Sequence, residues 1–277
     1  MTSVRELQRK YGFLFKGYLG QNFFNNDILL NEILDKLDIT KNDIVIEIGP
    51  GFGVLTEKLL LKSKKVISIE IDDRLIPILN ENLKEYDNFK LIHNDFMKMN
   101  LEDLGNLNGR FKVVANIPYY ITTPILEKLF KSELSIDFIA IMVQKEVGNR
   151  ILANVSTKEY GSLSVFVNYF SVPHVVKYIP AVNFIPKPKV DSVFIKFEIL
   201  DNRKFENREI EDNFLKFVKR CFSMRRKTLY NVLSNFTKDK EILMKIFNYM
   251  DIDFNKRAEN LTVDEFVKIF KILNGLD

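Results

Sequence analysis

Within five residues, Asn116-Ile117-Pro118-Tyr119-Tyr120 offers an amide, a carbonyl ahead of a rigid kink and two flat rings. Those are parts for gripping a planar base. A second set lies upstream. Gly49-Pro50-Gly51-Phe52-Gly53 follows an apolar run, and glycines in such a turn let main chain approach a ligand without a Cβ clash. The helix start behind it favours a negative group. Glu70 ends the next apolar run, where a carboxylate can accept from both hydroxyls of a ribose. Asp95, in Asn94-Asp95-Phe96, can accept from an adenine amino group. The turn reads Gly-x-Gly-x-Gly, with Val54 where a dinucleotide fingerprint would differ, and it brings no pyrophosphate pocket. An adenosine-containing ligand without a pyrophosphate points to S-adenosylmethionine rather than NAD. Glu47, beside the turn, is placed near the methionine or sulfonium part; the competing reading is a hydrogen-bonded structural acid.

These residues need strands that end side by side. Ile44 to Ile48, Lys65 to Glu70, Phe89 to His93, Phe111 to Ala115 and Phe138 to Val143 read as strands. Between them, helical spacing is predicted over Val54 to Leu61, Asp73 to Leu83 and Thr123 to Phe130, with an earlier helix from Asp27 capped by Asn25 or Asn26. This alternation predicts a doubly wound parallel sheet whose strand ends carry the site. Leu163 to Phe170 and His174 to Tyr178 read as strands joined by a tight turn, and Ser192 to Ile199 as another, suggesting an antiparallel edge. Residues 1–25 show little periodicity, and Tyr18 to Phe24 reads as an ordered loop. Past a polar stretch near residue 203 everything reads as helix: Ile210 to Phe222, Arg226 to Asn235, Lys240 to Tyr249 and Val263 to Leu273. The expected domains are 1–202 and a small all-α domain over 203–277.

Composition narrows the class. An apolar fraction of 46% over 277 residues supports a real core, and no apolar run is long enough for a transmembrane helix. Met1 to Lys16 is basic and mixed rather than a signal-peptide core, so a cytoplasmic protein is expected. A lone Cys221 excludes an intramolecular disulfide, and two histidines, His93 and His174, leave little for a metal. Both histidines read as structural, and Cys221 as a buried helix residue. The net charge of +4 says little, but basic residues cluster near the start and again from Lys216 to Lys227.

The chain resembles the rRNA adenine N6,N6-dimethyltransferases along nearly its full length. The resemblance rests on Leu19-Gly20-Gln21-Asn22-Phe23, Glu47 to Gly53, Glu70-Ile71-Asp72, Asn94-Asp95 and Asn116 to Tyr120. It continues through Val143 to Val147, Tyr160 to Leu163, Pro186 to Ser192, Arg225 to Leu229 and Arg257-Ala258-Glu259. It implies a Rossmann-like class I methyltransferase with a mostly parallel seven-stranded sheet and an all-α C-terminal domain that binds rRNA. It also implies dimethylation of two adjacent adenosines in a hairpin loop near the 3′ end of small-subunit rRNA, during ribosome assembly. By that resemblance Asn22, Gly49, Glu70, Asp95 and Asn116 contact S-adenosylmethionine, with Gln21, Phe23, Glu47, Gly51, Ile71 and Phe96 on the same side. Asn116, Pro118, Tyr119 and Phe184 hold the target base, Tyr119 below and Phe184 above. Many members carry Phe-x-Pro-Pro-Pro-Lys-Val, whereas here Ile185 and Lys187 flank Pro186. Periodicity alone makes Phe184 an ordinary core aromatic, and Tyr120 reads as core rather than site.

Lys187, Lys189, Arg225, Arg226 and Lys227 are candidates for rRNA phosphates. No metal is expected, the partner is small-subunit rRNA or an immature small subunit, and a monomer is the simplest expectation. Two alternatives stand beside this: a macrolide-resistance large-subunit rRNA adenine N6-methyltransferase, which shares the Asn-Ile-Pro-Tyr stretch, and a non-catalytic ribosome-assembly RNA-binding factor. Pro188-Lys189-Val190-Asp191-Ser192 and Arg225-Arg226-Lys227-Thr228-Leu229 favour the small-subunit enzyme over the first; the glycine turn, Glu70 and Asn116 argue against the second.

Overall fold

A computed structural model describes residues 4–15, 22–105, 110–201 and 203–276. The elements run α1 Val4–Lys10, β1 Phe23–Phe24, α2 Asp27–Leu34, β2 Ile44–Ile48, α3 Val54–Lys62, β3 Lys65–Glu70, α4 Ile76–Asn82 and β4 Phe89–His93. Then come α5 Glu102–Gly105, β5 Phe111–Ala115, α6 Thr122–Phe130, β6 Ile136–Gln144, α7 Lys145–Ile151, α8 Ser162–Phe170, β7 Ser171–Ile179, β8 Phe184–Ile185 and β9 Ser192–Ile199. The last helices are α9 Arg208–Ser223, α10 Leu229–Leu233, α11 Lys240–Tyr249 and α12 Val263–Asn274. No helix among the described residues is long and apolar enough to cross a membrane.

Residues 1–148 and 174–199 form one compact unit; 149–173 and 200–277 form the other. This division differs from a single boundary near residue 203 by grouping 149–173 with the C-terminal helices.

In the first unit the sheet runs β4-β3-β2-β5-β6-β9-β7. Parallel pairing holds from β4 through β6, and the chain winds outward in both directions from β2. Helices cover both faces, which is why Val45, Ile46, Val66, Ile67, Val113 and Val114 are all buried. Ile48 pairs with Ile69 on one side and Ala115 on the other, and Glu70 with His93. Gly49, Glu70, Asn94 and Asn116 therefore leave the sheet in one row, around the point where strand order reverses. Asn26 caps α2, its Oδ1 accepting from Leu29 N at 3.1 Å.

The antiparallel strand is not the edge. β9 pairs antiparallel with β6 and is inserted between β6 and the edge strand β7. A second difference is the two-stranded ribbon in which Phe23 pairs with Ile185 and Phe24 with Phe184, so the end of the expected loop is strand. Tyr18 to Gln21 of that loop lie outside the described residues. Helix α1 has buried Val4 and Leu7 one turn apart, a repeat too short to register as periodicity.

In the second unit, Leu163 to Phe170 belongs to a helix, not a strand. Its residues are buried on nearly every side, a pattern shared by buried strands and buried helices. Ser164 Oγ accepts from Gly161 N at 3.0 Å and donates to Arg150 O, which sets the helix start. Helix α10 is shorter than its spacing suggests: Thr228 caps it, so Arg225, Arg226 and Lys227 sit in the turn before it. Cys221 is buried on α9, and burial pushes its thiol up to about 12, out of the reactive range.

Candidate active site

The glycine turn after β2 is held open by backbone that only glycine adopts easily. Gly51 has φ 60°, and a Cβ there would stand 2.7 Å from the Phe23 ring. Gly53, at φ 86°, begins α3, and a Cβ there would press Leu79 at 3.1 Å. Gly49 and Gly51 line the cavity, and at Gly49, φ 69°, nothing stands within 4 Å of where a Cβ would lie.

Glu70 is built into that turn. Its Oε2 accepts from Gly51 N at 3.2 Å, and its Oε1 from Ile71 N and Asp72 N, each at 2.9 Å. Burial raises the carboxyl's pKa, against the opposing effect of those N–H donors. A carboxylate has about four acceptor sites, so capacity for a ligand hydroxyl remains. Asp72 is in turn clamped by Arg74, whose guanidinium lies 4.4 Å from the Phe13 ring and donates to Leu14 O at 2.9 Å. This arginine ties Phe13 and Leu14 to the end of β3.

After β4, Asn94 Oδ1 accepts from Asp95 N at 2.8 Å, and Asp95 Oδ1 accepts from Met97 N at 2.9 Å. After β5, Asn116 Nδ2 donates to Asn22 O at 3.1 Å, which leaves the side-chain oxygen as its acceptor. The Pro118 carbonyl already accepts from Ile121 N at 3.2 Å in the short turn Tyr119–Ile121; its second lone pair is what a ligand could use. Tyr119 is half-buried, its hydroxyl 2.7 Å from Ser192 Oγ on β9. Burial raises the phenol's pKa, so this group keeps its proton at neutral pH.

Asn22, Phe23, Gly49, Gly51, Glu70, Ile71, Asp95, Phe96, Asn116, Pro118 and Tyr119 line a single cavity. Two expected members are elsewhere. Glu47 is fully buried beneath the glycine turn, not in the cavity lining. Its Oε2 accepts from Thr56 Oγ1 and Ser68 Oγ, both at 2.7 Å, its Oε1 has no partner among the described residues, and burial pushes its carboxyl up to about 7. The two bonds to Oε2 are those expected of a structural acid. Phe184 is 2% exposed, its ring edge-on to Phe24 at 5.2 Å, and it does not line the cavity. The β1–β8 pairing puts it into the core cluster. Gln21 lies outside the described residues.

Tyr120 was missed. It is 66% exposed and lines the cavity beside Tyr119. Its place in a kinked turn, where no helix or strand periodicity applies, is the signal that sets it apart from core. Lys187 and Lys189 are exposed in the loop after β8. In the second unit Arg226 and Lys227 are exposed, while Arg225 is committed to Glu259 Oε2 at 2.9 Å and Lys158 O at 2.9 Å. No acidic, histidine or cysteine cluster among the described residues could hold a metal.

A mostly parallel sheet reversing at β2, with a glycine turn, a strand-end acid and an Asn-Ile-Pro-Tyr corner at its carboxyl end, is the fold of a class I methyltransferase. The profile described as ribosomal RNA adenine dimethylase matches residues 12–275, and the chain belongs to that family. It is 43% identical over 267 residues to the ribosomal RNA small subunit methyltransferase A of Clostridium acetobutylicum, covering 96% of both chains. The protein of that name from Clostridium perfringens is 41% identical over 263 residues, 95% of this chain and 92% of the relative. Among solved structures, a dimethyladenosine transferase from Plasmodium falciparum superposes with a TM-score of 0.79 at 29% identity, covering 91% of this chain and 98% of that one. The 23S rRNA methyltransferase ErmE superposes with a TM-score of 0.71 at 22% identity, covering 91% of this chain and 100% of that one, a likeness of fold.

Proposed function

We propose that this protein dimethylates two adjacent adenosines in a hairpin loop near the 3′ end of small-subunit rRNA, using S-adenosylmethionine, as a cytoplasmic monomer acting on the assembling subunit. The observation that carries the reading is the row of strand ends: Gly49 to Gly51, Glu70, Asp95 and Asn116 line one cavity with Tyr119. The residues fit the donor. Gly49 has open space where a Cβ would stand, Glu70 suits a ribose, and Asp95 suits an adenine amino edge.

When bound, S-adenosylmethionine supplies an electrophilic methyl group. The protein's share is to present the acceptor. An exocyclic adenine amine is a weak nucleophile because its lone pair is delocalised into the ring. Asn116 Oδ1 and the Pro118 carbonyl accept its two hydrogens and favour a pyramidal nitrogen with a localised lone pair. This is orientation and electrostatics, so no side chain has to remove a proton before attack. The target base must leave its stack, and Tyr119 offers a ring to receive it, a contact worth about 1–3 kcal/mol. Phe184 supplies the opposing face only if its ring leaves the core. Lys187, Lys189, Arg226 and Lys227 are assigned to rRNA phosphates, with Arg225 shaping the turn that carries the last two.

Labelled methyl transfer to small-subunit particles, to large-subunit RNA and to neither tests the reading. Label in small-subunit particles alone is expected, and label confined to large-subunit RNA would overturn it. Arg226→Ala should weaken particle binding and lower its salt slope by about one; an unchanged slope removes Arg226 from the RNA contact.

A further inference from the structure

Lys128 belongs to none of the motifs above. It lies on α6, the helix that follows the Asn116–Tyr120 corner, and its ammonium reaches the turn after β4. There it donates to three main-chain carbonyls: Phe96 O at 2.7 Å, Met97 O at 2.9 Å and Met99 O at 2.5 Å. An ammonium has three donors, so all are committed. Among the described residues no carboxylate lies within ion-pair distance of it, and its nitrogen stands 5.4 Å from the Phe96 ring. Burial lowers its pKa, with the Asp95 charge opposing. A lysine serving as a counter-ion would pair with Asp95. This one closes the carbonyl end of a turn, where acceptors otherwise lack donors.

The opposite end of that turn is Asp95. Its carbonyl accepts from Lys98 N at 2.9 Å and Met99 N at 3.0 Å, and its carboxylate accepts from Met97 N at 2.9 Å. Lys128 and the Asp95 carboxylate therefore grip one turn from its two ends, and Asp95, Phe96 and Met97 all line the cavity. We propose that Lys128 is a positioning residue for the donor's adenine: by tying down three carbonyls it fixes the Asp95–Met99 turn, and so the angle at which the Asp95 carboxylate meets the amino edge. The inference rests on the donor-side assignment of Asp95 under Proposed function. Removing the ammonium returns three carbonyls to water, releases the turn and lets the Met97 N–H leave Asp95. Recognition of the amino group should then fall more than binding as a whole.

The test is calorimetric titration of the full-length protein with S-adenosylhomocysteine and with S-inosylhomocysteine, in which a 6-oxo group replaces the 6-amino group. The unaltered protein should prefer the adenine ligand by about tenfold or more. Lys128→Met should cut that preference at least about threefold. Lys128→Gln, with two donors left, should fall between and serves if the first variant folds poorly. Glu70→Gln should weaken both ligands alike and keep the preference. If both Lys128 variants lose affinity for the two ligands in equal proportion, or lose none, the lysine is a structural tie and the proposal is overturned. If the unaltered protein binds neither ligand, the donor assignment itself fails, an outcome separate from either.

Discussion

Glu70, on the wall assigned to the donor, and Asn116, on the wall assigned to the base, line one cavity from the ends of β3 and β5 and are held in different ways. Glu70 accepts three main-chain N–H bonds, from Gly51, Ile71 and Asp72. Asn116 and Tyr119 each have a single bond among the described residues, to Asn22 O and to Ser192 Oγ. The donor wall is made of backbone that glycines keep open, and Asp95 is anchored by its own turn. The base wall is made of side chains, one of which, Tyr120, is 66% exposed, while Phe184 is turned into the core. The difference teaches that the side assigned to the donor is fixed by main-chain bonds. The base side has one aromatic face ready and the other buried.

The sharpest way to break that contrast is at Phe184. As a core ring it predicts that Phe184→Ala costs about 3–5 kcal/mol of stability in urea unfolding. Phe184→Leu refills most of the volume, so it should recover most of the stability while turnover stays low if the ring also stacks. Unchanged stability in Phe184→Ala would contradict its place in the core. Asn116→Ala comes next: turnover on small-subunit particles should fall on the order of a hundredfold, with donor affinity changing less. Glu70→Gln sets an amide nitrogen against main-chain N–H donors and should weaken S-adenosylhomocysteine binding by roughly tenfold. If Asn116→Ala weakens donor binding more than Glu70→Gln, the two walls are not distinct.

A separate effect, on stability rather than turnover, comes from Glu47. The Glu47 carboxyl is raised in the folded protein to about 7, above its ordinary value of 4.5. The folded state then holds a proton that the unfolded state has released between those two values. Stability contributed by this group is full below pH 4.5, is lost as pH rises towards 7, and levels off above. Glu47→Gln should remove about one proton's worth of that slope, read as urea midpoints across the range. An equal slope in both proteins would refute the assignment.

Much of the donor wall is legible in the amino-acid sequence because it is local. An apolar run ending in glycine, an acid at the end of the next run and Asn-Asp after a third each announce a strand end. The base wall depends on pairings distant in sequence. Phe184 is buried because β8 meets β1, and nothing near residue 184 signals that partner. Lys128 looks like an exposed helix lysine until the fold brings it to three carbonyls. Leu163 to Phe170 is misread for another reason: burial on every side erases the period that separates helix from strand. Likewise β9 reads correctly as a strand, but its insertion between β6 and β7 is a matter of topology.

The central claim is that Asn116 and its neighbours present an rRNA adenosine to a donor held in the same cavity. The direct measurement is mass mapping of methylated adenosines in ribosomal RNA from cells with this protein, without it, and with Asn116→Ala in its place. Two adjacent dimethyladenosines near the 3′ end of small-subunit rRNA should be present with the unaltered protein and absent in both other cases. Modification confined to large-subunit RNA, or undiminished modification with Asn116→Ala, would contradict it.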